Sequence, residues 1–328
     1  MRRVGLLVVS ALAALSAGTA RAQPSPPAHV VARSALASAL EAAAASSYAE
    51  AEKALSAILG PDRPAALLAL ARIRFEQGRF ADADRAAQQA AASPDQRLTA
   101  TALRGEILAA QGKIDDAIRL LAPSKDAAGV GGRRVRLVLG ELLIRAGRRA
   151  EAEPVLLKFA DEYGSDAISS SDAEGLAMVG RAMHLLRHPK DANRAYNESE
   201  RAAGDSHRVE TLLWRADLYF DTYDPGHAEE VLLEALKLAP HRADVNVLLA
   251  RVKLEEAFDF EAATKLTGEA LAVDPQNAGA YAVRAGIANV RPQPSGCGRL
   301  TYLSRTRLKT VPQGESSPIN MSRKCSAT

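Results

Sequence analysis

The sequence predicts an all-α protein, an α-α superhelix of about seven helix pairs, and three observations lead to this prediction. Alanine supplies 67 of the 328 residues, while runs of β-branched and aromatic residues, which favour strands, are few. A glycine followed by a helix start recurs at Gly78, Gly112 and Gly147, about one period of 34 residues apart. Prolines that end helices recur at nearly the same spacing, at Pro240 and Pro275.

Each predicted helix pair occupies one period of this repeat. Small residues stand where the two helices of a pair approach each other, and larger aliphatic residues fill the space between neighbouring pairs. The fifth pair is irregular, because Pro189 falls at the turn between its helices, and an eighth pair begins with NAGAYAVRAGIA. The predicted pairs are 34–60, 64–91, 98–124, 133–159, 165–203, a pair that ends at Pro240, and 242–275.

This pattern resembles the tetratricopeptide repeat, which reads W-x2-L-G-x2-Y, then A-x3-F, then P. It is clearest at Ala228, Leu232 and Pro240, whereas the tryptophan position is mostly aliphatic in this chain. In the family, the first helices of successive pairs line a concave groove that binds a protein or a peptide. The resemblance therefore implies an interaction scaffold without a cofactor, and we do not expect enzyme activity.

The groove positions of the family can be carried over to this sequence one by one. They bear mixed charges, and each alone is equally well explained as a solvated side chain on a helix face. The Lys/Asn/Arg clamp that some members use for C-terminal carboxylates is not recognisable, so binding of chaperone tails is not supported. The candidate groove residues are Arg72, Phe75, Glu76, Glu106, Glu141, Arg145, Asp217, Phe220, Asp221, Arg251 and Glu255.

The N-terminal residues 1–22 have the pattern of a secretory signal peptide. Arg2 and Arg3 precede a short apolar run, and the small-x-small sequence that ends at Ala22 fits the cleavage rule. An uncleaved anchor is the alternative, but the run is short for a membrane span. We expect cleavage after Ala22, export to the periplasm or the exterior of a bacterium, and a linker at 23–33.

The net charge of +3 and the pI near 8.9 conceal an uneven distribution. The signal peptide carries three arginines and no acid, and residues 289–328 carry seven basic residues against Glu315. The remainder, which includes the helical repeats at 34–288, is therefore net negative by six charges. A negative body argues against a basic groove for nucleic acid.

Residues 289–328 depart abruptly from the repeats. They contain one alanine, both cysteines of the chain and no helical periodicity, so we expect a disordered basic tail. A shifted reading frame beyond residue 288 is a sharper hypothesis, and the other two frames of the genomic DNA test it.

Motifs of catalysis and metal binding are absent from the sequence, which has no H-E-x-x-H, Walker loop, G-x-S-x-G or C-x-x-C. His184 and His188 stand at i and i+4, but Pro189 follows directly, and a structural or surface role is favoured. The chain also resembles the repeat part of long bacterial proteins whose repeats precede a zinc metallopeptidase domain. The alternative function is therefore an N-terminal repeat fragment of a larger exported zinc metallopeptidase.

Overall fold

The computed structural model describes residues 28–204 and 208–290, and this part of the chain is helical without any strand. The predicted signal peptide at 1–22 and nearly all of the predicted tail at 289–328 lie outside the described residues. No helix within the described ranges is both long and apolar enough to cross a bilayer.

Seven helix pairs follow one another, as predicted, and the first helix of an eighth pair completes the described chain. The all-α superhelix is thus confirmed. The helix α1 begins at Ala28, inside the range 23–33 that was expected to be a linker. In chain order the helices are α1 (Ala28–Ala44), α2 (Tyr48–Ala57), α3 (Arg63–Glu76), α4 (Phe80–Ala90), α5 (Arg97–Ala110), α6 (Ile114–Leu121), α7 (Gly129–Arg145), α8 (Arg149–Gly164), α9 (Ala173–Leu185), α10 (Pro189–Ala203), α11 (Val209–Asp221), α12 (Pro225–Leu238), α13 (Ala243–Glu255), α14 (Phe260–Val273) and α15 (Ala278–Val290).

The turn inside every pair passes through one residue with a left-handed backbone, whose φ lies between 52° and 79°. Glycine takes this conformation without steric cost, and the other residue types take it under strain. The glycine pattern in the sequence thus identified three of the seven turns. The left-handed residues are Ser46, Gly78, Gly112, Gly147, Arg187, Tyr223 and Phe258.

Pro189 does not disturb the fifth pair, because it is the first residue of α10. The first position of a helix has no use for a backbone N–H and suits the fixed φ of proline. Its departure from the repeat pattern therefore has no structural cost.

Within a pair, a small residue of the first helix contacts a large side chain that stands 16 residues later on the second helix. A Cβ built on Gly105 would lie 2.7 Å from a methyl of Leu121. One built on Gly180 would lie 2.7 Å from the ring of Tyr196, which is fully buried. These glycines are thus required for the two helices to approach.

The superhelix returns on itself after six pairs, so that its last pairs lie against its first. Arg242 at the start of α13 forms an ion pair of 3.1 Å with Glu76 at the end of α3. Asp274 lies against Gly78, and Val273 packs on the apolar cluster of the first two pairs. We call these the closure contacts. They enclose the concave side of the superhelix on two sides.

Candidate binding site on the concave face

The first helices of the pairs surround a central cavity of about 870 Å³ on the concave side. It is bounded by α3, α5, α7, α11 and α13 and by the start of α15. Five of the candidate groove residues line it, namely Arg72, Phe75, Glu76, Glu106 and Arg145. The repeat register therefore brings together side chains that stand far apart in the sequence.

Arg72 and Glu106 form a two-pronged ion pair on this face. The Nη1 of Arg72 lies 2.6 Å from Oε2 of Glu106, and its Nη2 lies 3.2 Å from Oε1. The guanidinium also lies over the ring of Phe75, 5.6 Å from its centre. Because the two charged residues are 34 positions apart, the pair ties together equivalent sites of successive repeats.

A second ion pair crosses from α7 to α11, and the sequence analysis missed it. The Nη2 of Arg134 donates to Oε2 of Glu210 over 2.7 Å, and Arg134 lies above the ring of Trp214. Burial alone would raise the pKa of Glu210, but Arg134 and Arg72 outweigh it and hold the pKa at about 2. Glu210 stands in the first turn of α11, outside the groove positions of the family, and no sequence signal marked it.

Glu76 takes part in a network that joins three pairs. Tyr48 donates its hydroxyl to Oε2 of Glu76 over 3.1 Å, and Arg242 pairs with Glu76 on the other side. Arg242 also holds Asp244 at 2.6 Å. Burial raises the pKa of Glu76; Arg242 opposes the shift, and the nearby carboxylate of Asp244 reinforces it.

Four other candidates line a separate pocket of about 280 Å³, between α9, α11 and α13. They are Asp217, Phe220, Asp221 and Arg251. Arg251 lies over the ring of Phe220 at 4.6 Å and pairs with Glu255 at 3.0 Å. The candidate set thus divides between two places on the concave face.

Arg181, which the sequence analysis did not single out, organises this second pocket. Its Nε lies 2.6 Å from Glu141 on α7 and its Nη1 lies 3.1 Å from Asp217 on α11. Three successive first helices are bridged in this way, and the candidate Glu141 is occupied by the bridge.

His184 belongs to the same network and not to a metal site. Its Nε2 lies 3.1 Å from Oδ2 of Asp221, while His188 precedes α10 at the next turn. Burial and the charge of Arg181 lower the pKa of His184, against the opposing effect of Asp221. Among the described residues, no three His, Cys, Asp or Glu side chains are placed to hold a metal ion.

Arg145 differs from the other charged candidates. Each of them forms an ion pair, whereas Arg145, at the exposed end of α7, has none among the contacts of the described residues. It lines the central cavity and an adjoining pocket of about 250 Å³ that also contains Phe75 and Trp214. An unpaired guanidinium between two aromatic side chains is therefore the most reactive feature of this face toward a ligand.

The family resemblance can now be judged on the geometry. Seven helix pairs recur with one left-handed turn each, and small residues meet large ones at a constant offset. The chain is a solenoid of tetratricopeptide repeats. The sequence alone establishes less, since no family model and no curated protein matches it.

Solved structures with similar folds are tetratricopeptide repeat proteins. One from Parabacteroides merdae is 17% identical, with a TM-score of 0.44, and the match covers 78% of this chain and 98% of that one. A protein from Thermus thermophilus is also 17% identical, with a TM-score of 0.42, and covers 58% of this chain and 97% of its own. A third, described as having an unusual peptide-binding site, is 12% identical, with a TM-score of 0.35 and coverages of 57% and 91%. At these similarities the comparison concerns the helical architecture alone.

Proposed function

We propose that this repeat protein is an exported, non-enzymatic scaffold that binds a segment of a partner protein or a peptide in the central cavity. The observation that supports the proposal is the position of Arg145 between Phe75 and Trp214. A guanidinium without an internal partner is available for a carboxylate of the ligand, and the two rings offer apolar contact. The cavity lining therefore favours a segment in which an acidic residue stands next to apolar ones.

The other charges of the cavity act differently in this proposal. Arg72, Glu106, Arg134 and Glu210 satisfy one another and would gain little from a ligand. They keep the first helices in place, so that binding does not need a reorganised face. The closure contacts limit the space, which suits a short extended segment better than a folded domain.

The test is a pull-down in which the mature chain, residues 23–328, is the bait and a periplasmic extract supplies candidate partners. Arg145→Glu and Trp214→Ala should each reduce capture of a specific partner at least tenfold. Arg119→Glu, on the outer helix α6, makes the same charge change at an exposed site and should leave capture unchanged. Equal capture by all variants, or none by the unmodified chain at low salt, would refute cavity binding.

Export is a separate part of the proposal and has its own test. The charged start, apolar run and small-x-small site support cleavage after Ala22. Sequencing the N-terminus of the protein recovered from a bacterial periplasm should give Gln23 as its first residue. Recovery of the intact chain in the membrane fraction would instead favour the uncleaved anchor.

The alternative function, a repeat fragment of a larger exported zinc metallopeptidase, is tested on the gene. Genomic DNA beyond codon 288 is read in all three frames for further repeats and an H-E-x-x-H motif. Finding both in a continuous frame would favour the metallopeptidase; finding neither would favour the scaffold.

A further inference from the structure

The left-handed turn position changes its character between the early and the late repeats. In the first two repeats it lies beneath other parts of the chain: Ser46 is only 1% exposed, and Gly78 lies against Asp274. In the sixth and seventh repeats the same position holds Tyr223 and Phe258, with 60% and 64% of each residue exposed. Two aromatic side chains are thus displayed where the backbone conformation favours glycine.

Such a choice of residue works against stability. A non-glycine residue in this conformation stores about 1 kcal/mol of strain, and exposing a ring wastes its apolar surface. Strain that persists at neighbouring, equivalent positions is a reason to look for a binding role.

The charges of these turns change at the same point in the chain. The turn segments 221–224 and 255–261 carry six carboxylates and no basic residue. The equivalent segment 145–149 carries three arginines, and 110–114 carries Lys113 and no acid. We call segments 221–224 and 255–261, with their aromatic residues, the acidic turn edge.

The basic tail leaves the described structure next to this edge. Gly279 contacts Val247 and Gly286 contacts Leu254, so α15 runs parallel to α13 at a constant offset of 32 residues. The same offset places Val290, the last residue of α15, level with Phe258. Residues 291–328 follow, with seven basic residues and a single acid, a net charge of +6.

We propose that the basic C-terminal segment 291–328 docks on the acidic turn edge of its own chain, where its arginines contact Tyr223 and Phe258. Guanidinium groups stack on aromatic faces and pair with carboxylates, and the edge offers both beside each other. Tethering supplies a high effective concentration, so weak contacts suffice. Docking of this kind needs only the charge of the segment and the point at which it leaves α15, whatever reading frame encodes it. The turn edge of the first two repeats already receives another part of the same chain in this way.

The two cysteines of the chain make the proposal testable without new labelling sites. Cys297 lies seven residues beyond Val290, within about 25 Å of chain, and Cys325 can be replaced by serine. A benzophenone maleimide on Cys297 of the mature chain is irradiated at low protein concentration, and the crosslinked peptides are mapped by mass spectrometry. We expect intramolecular crosslinks concentrated in residues 219–261, weakened at least fivefold in 1 M salt.

Two variants separate docking from mere proximity. Tyr223→Gly with Phe258→Gly removes both rings at positions that favour glycine, so the fold is retained and the crosslinks should fall at least fivefold. Glu256→Lys with Glu261→Lys should do the same, whereas Glu50→Lys with Glu153→Lys makes an equal charge change on distant exposed sites and should have no effect.

Three outcomes would overturn the proposal. Crosslinks scattered over the whole chain would exclude a defined docking site. Crosslinks unchanged in both edge variants would exclude the aromatic and acidic contacts. Crosslinks that join two chains at low concentration would assign the edge to a second copy and not to the chain's own segment.

Discussion

The backbone amide of His241 donates a hydrogen bond of 2.8 Å to the hydroxyl oxygen of Ser46, a residue 195 positions earlier in the chain. Ser46 is the left-handed residue of the first turn, and His241 follows the end of α12. This bond joins the start of the solenoid to its sixth and seventh repeats. Together with the closure contacts, it fixes the width of the central cavity.

The ion pair between Arg242 and Glu76 is expected to contribute most to this closure. Arg242→Ala would leave the buried carboxylate without its main partner and should lower the free energy of unfolding by about 2–3 kcal/mol. Glu76→Gln should cost less, because Arg242 keeps Asp244. Urea unfolding of both single variants and the double variant measures the coupling, and a coupling near zero would contradict a stabilising closure.

The contact between Gly180 and Tyr196 predicts a sharp sensitivity to a single methyl group. Gly180→Ala should lower the free energy of unfolding by about 2 kcal/mol, because the buried ring cannot move away. Gly164→Ala is the matched control, since its Cβ would meet no atom within 4 Å and alanine favours helix. Thermal unfolding followed by circular dichroism compares the two, and equal melting temperatures would contradict the packing argument.

The strained turns predict two substitutions of opposite sign. Phe258→Gly should raise the free energy of unfolding by about 0.5–1 kcal/mol, because glycine relieves the left-handed strain. Gly112→Ala places a methyl group in open space at φ 79° and should cost about 1 kcal/mol from strain alone. Loss of stability in Phe258→Gly would instead mean that the ring packs favourably.

The carboxylate of Glu210 predicts a loss of stability in acid. Its pKa lies at about 2 in the folded protein, against an ordinary value of 4.5, so the folded state favours the charged form. Its stabilisation is therefore complete above pH 4.5 and is lost as the pH falls toward 2, with about 2 kcal/mol at stake after allowance for its partial exposure. In Glu210→Gln, the slope of unfolding free energy against pH between 4.5 and 2 should be shallower than in the unmodified chain.

The repeat architecture was predictable because its determinants are local. Gly78, Gly112 and Gly147 mark turns, and the constant spacing identifies pairs whatever the remaining sequence. Where Tyr223 replaces the glycine, the turn persists under strain, and no residue type revealed it. Nearest-neighbour packing thus carried the fold prediction through the irregular repeats.

The candidate site was predictable only in part. Groove positions taken from the repeat register found Arg72 and Glu106, which face each other across one period. They could not find the pairing of Arg134 with Glu210 or of Arg242 with Glu76, because those contacts depend on the curvature that accumulates over many repeats. Curvature is a global quantity, and single repeats do not encode it legibly.

The return of the last repeats onto the first has a consequence for how the protein folds. An open solenoid frays from its ends, because each repeat touches only its neighbours and stability propagates along one dimension. Contacts between residues nearly 200 positions apart remove the free ends and raise the contact order. Such a chain should fold more slowly than an open array of equal length and unfold as one cooperative unit.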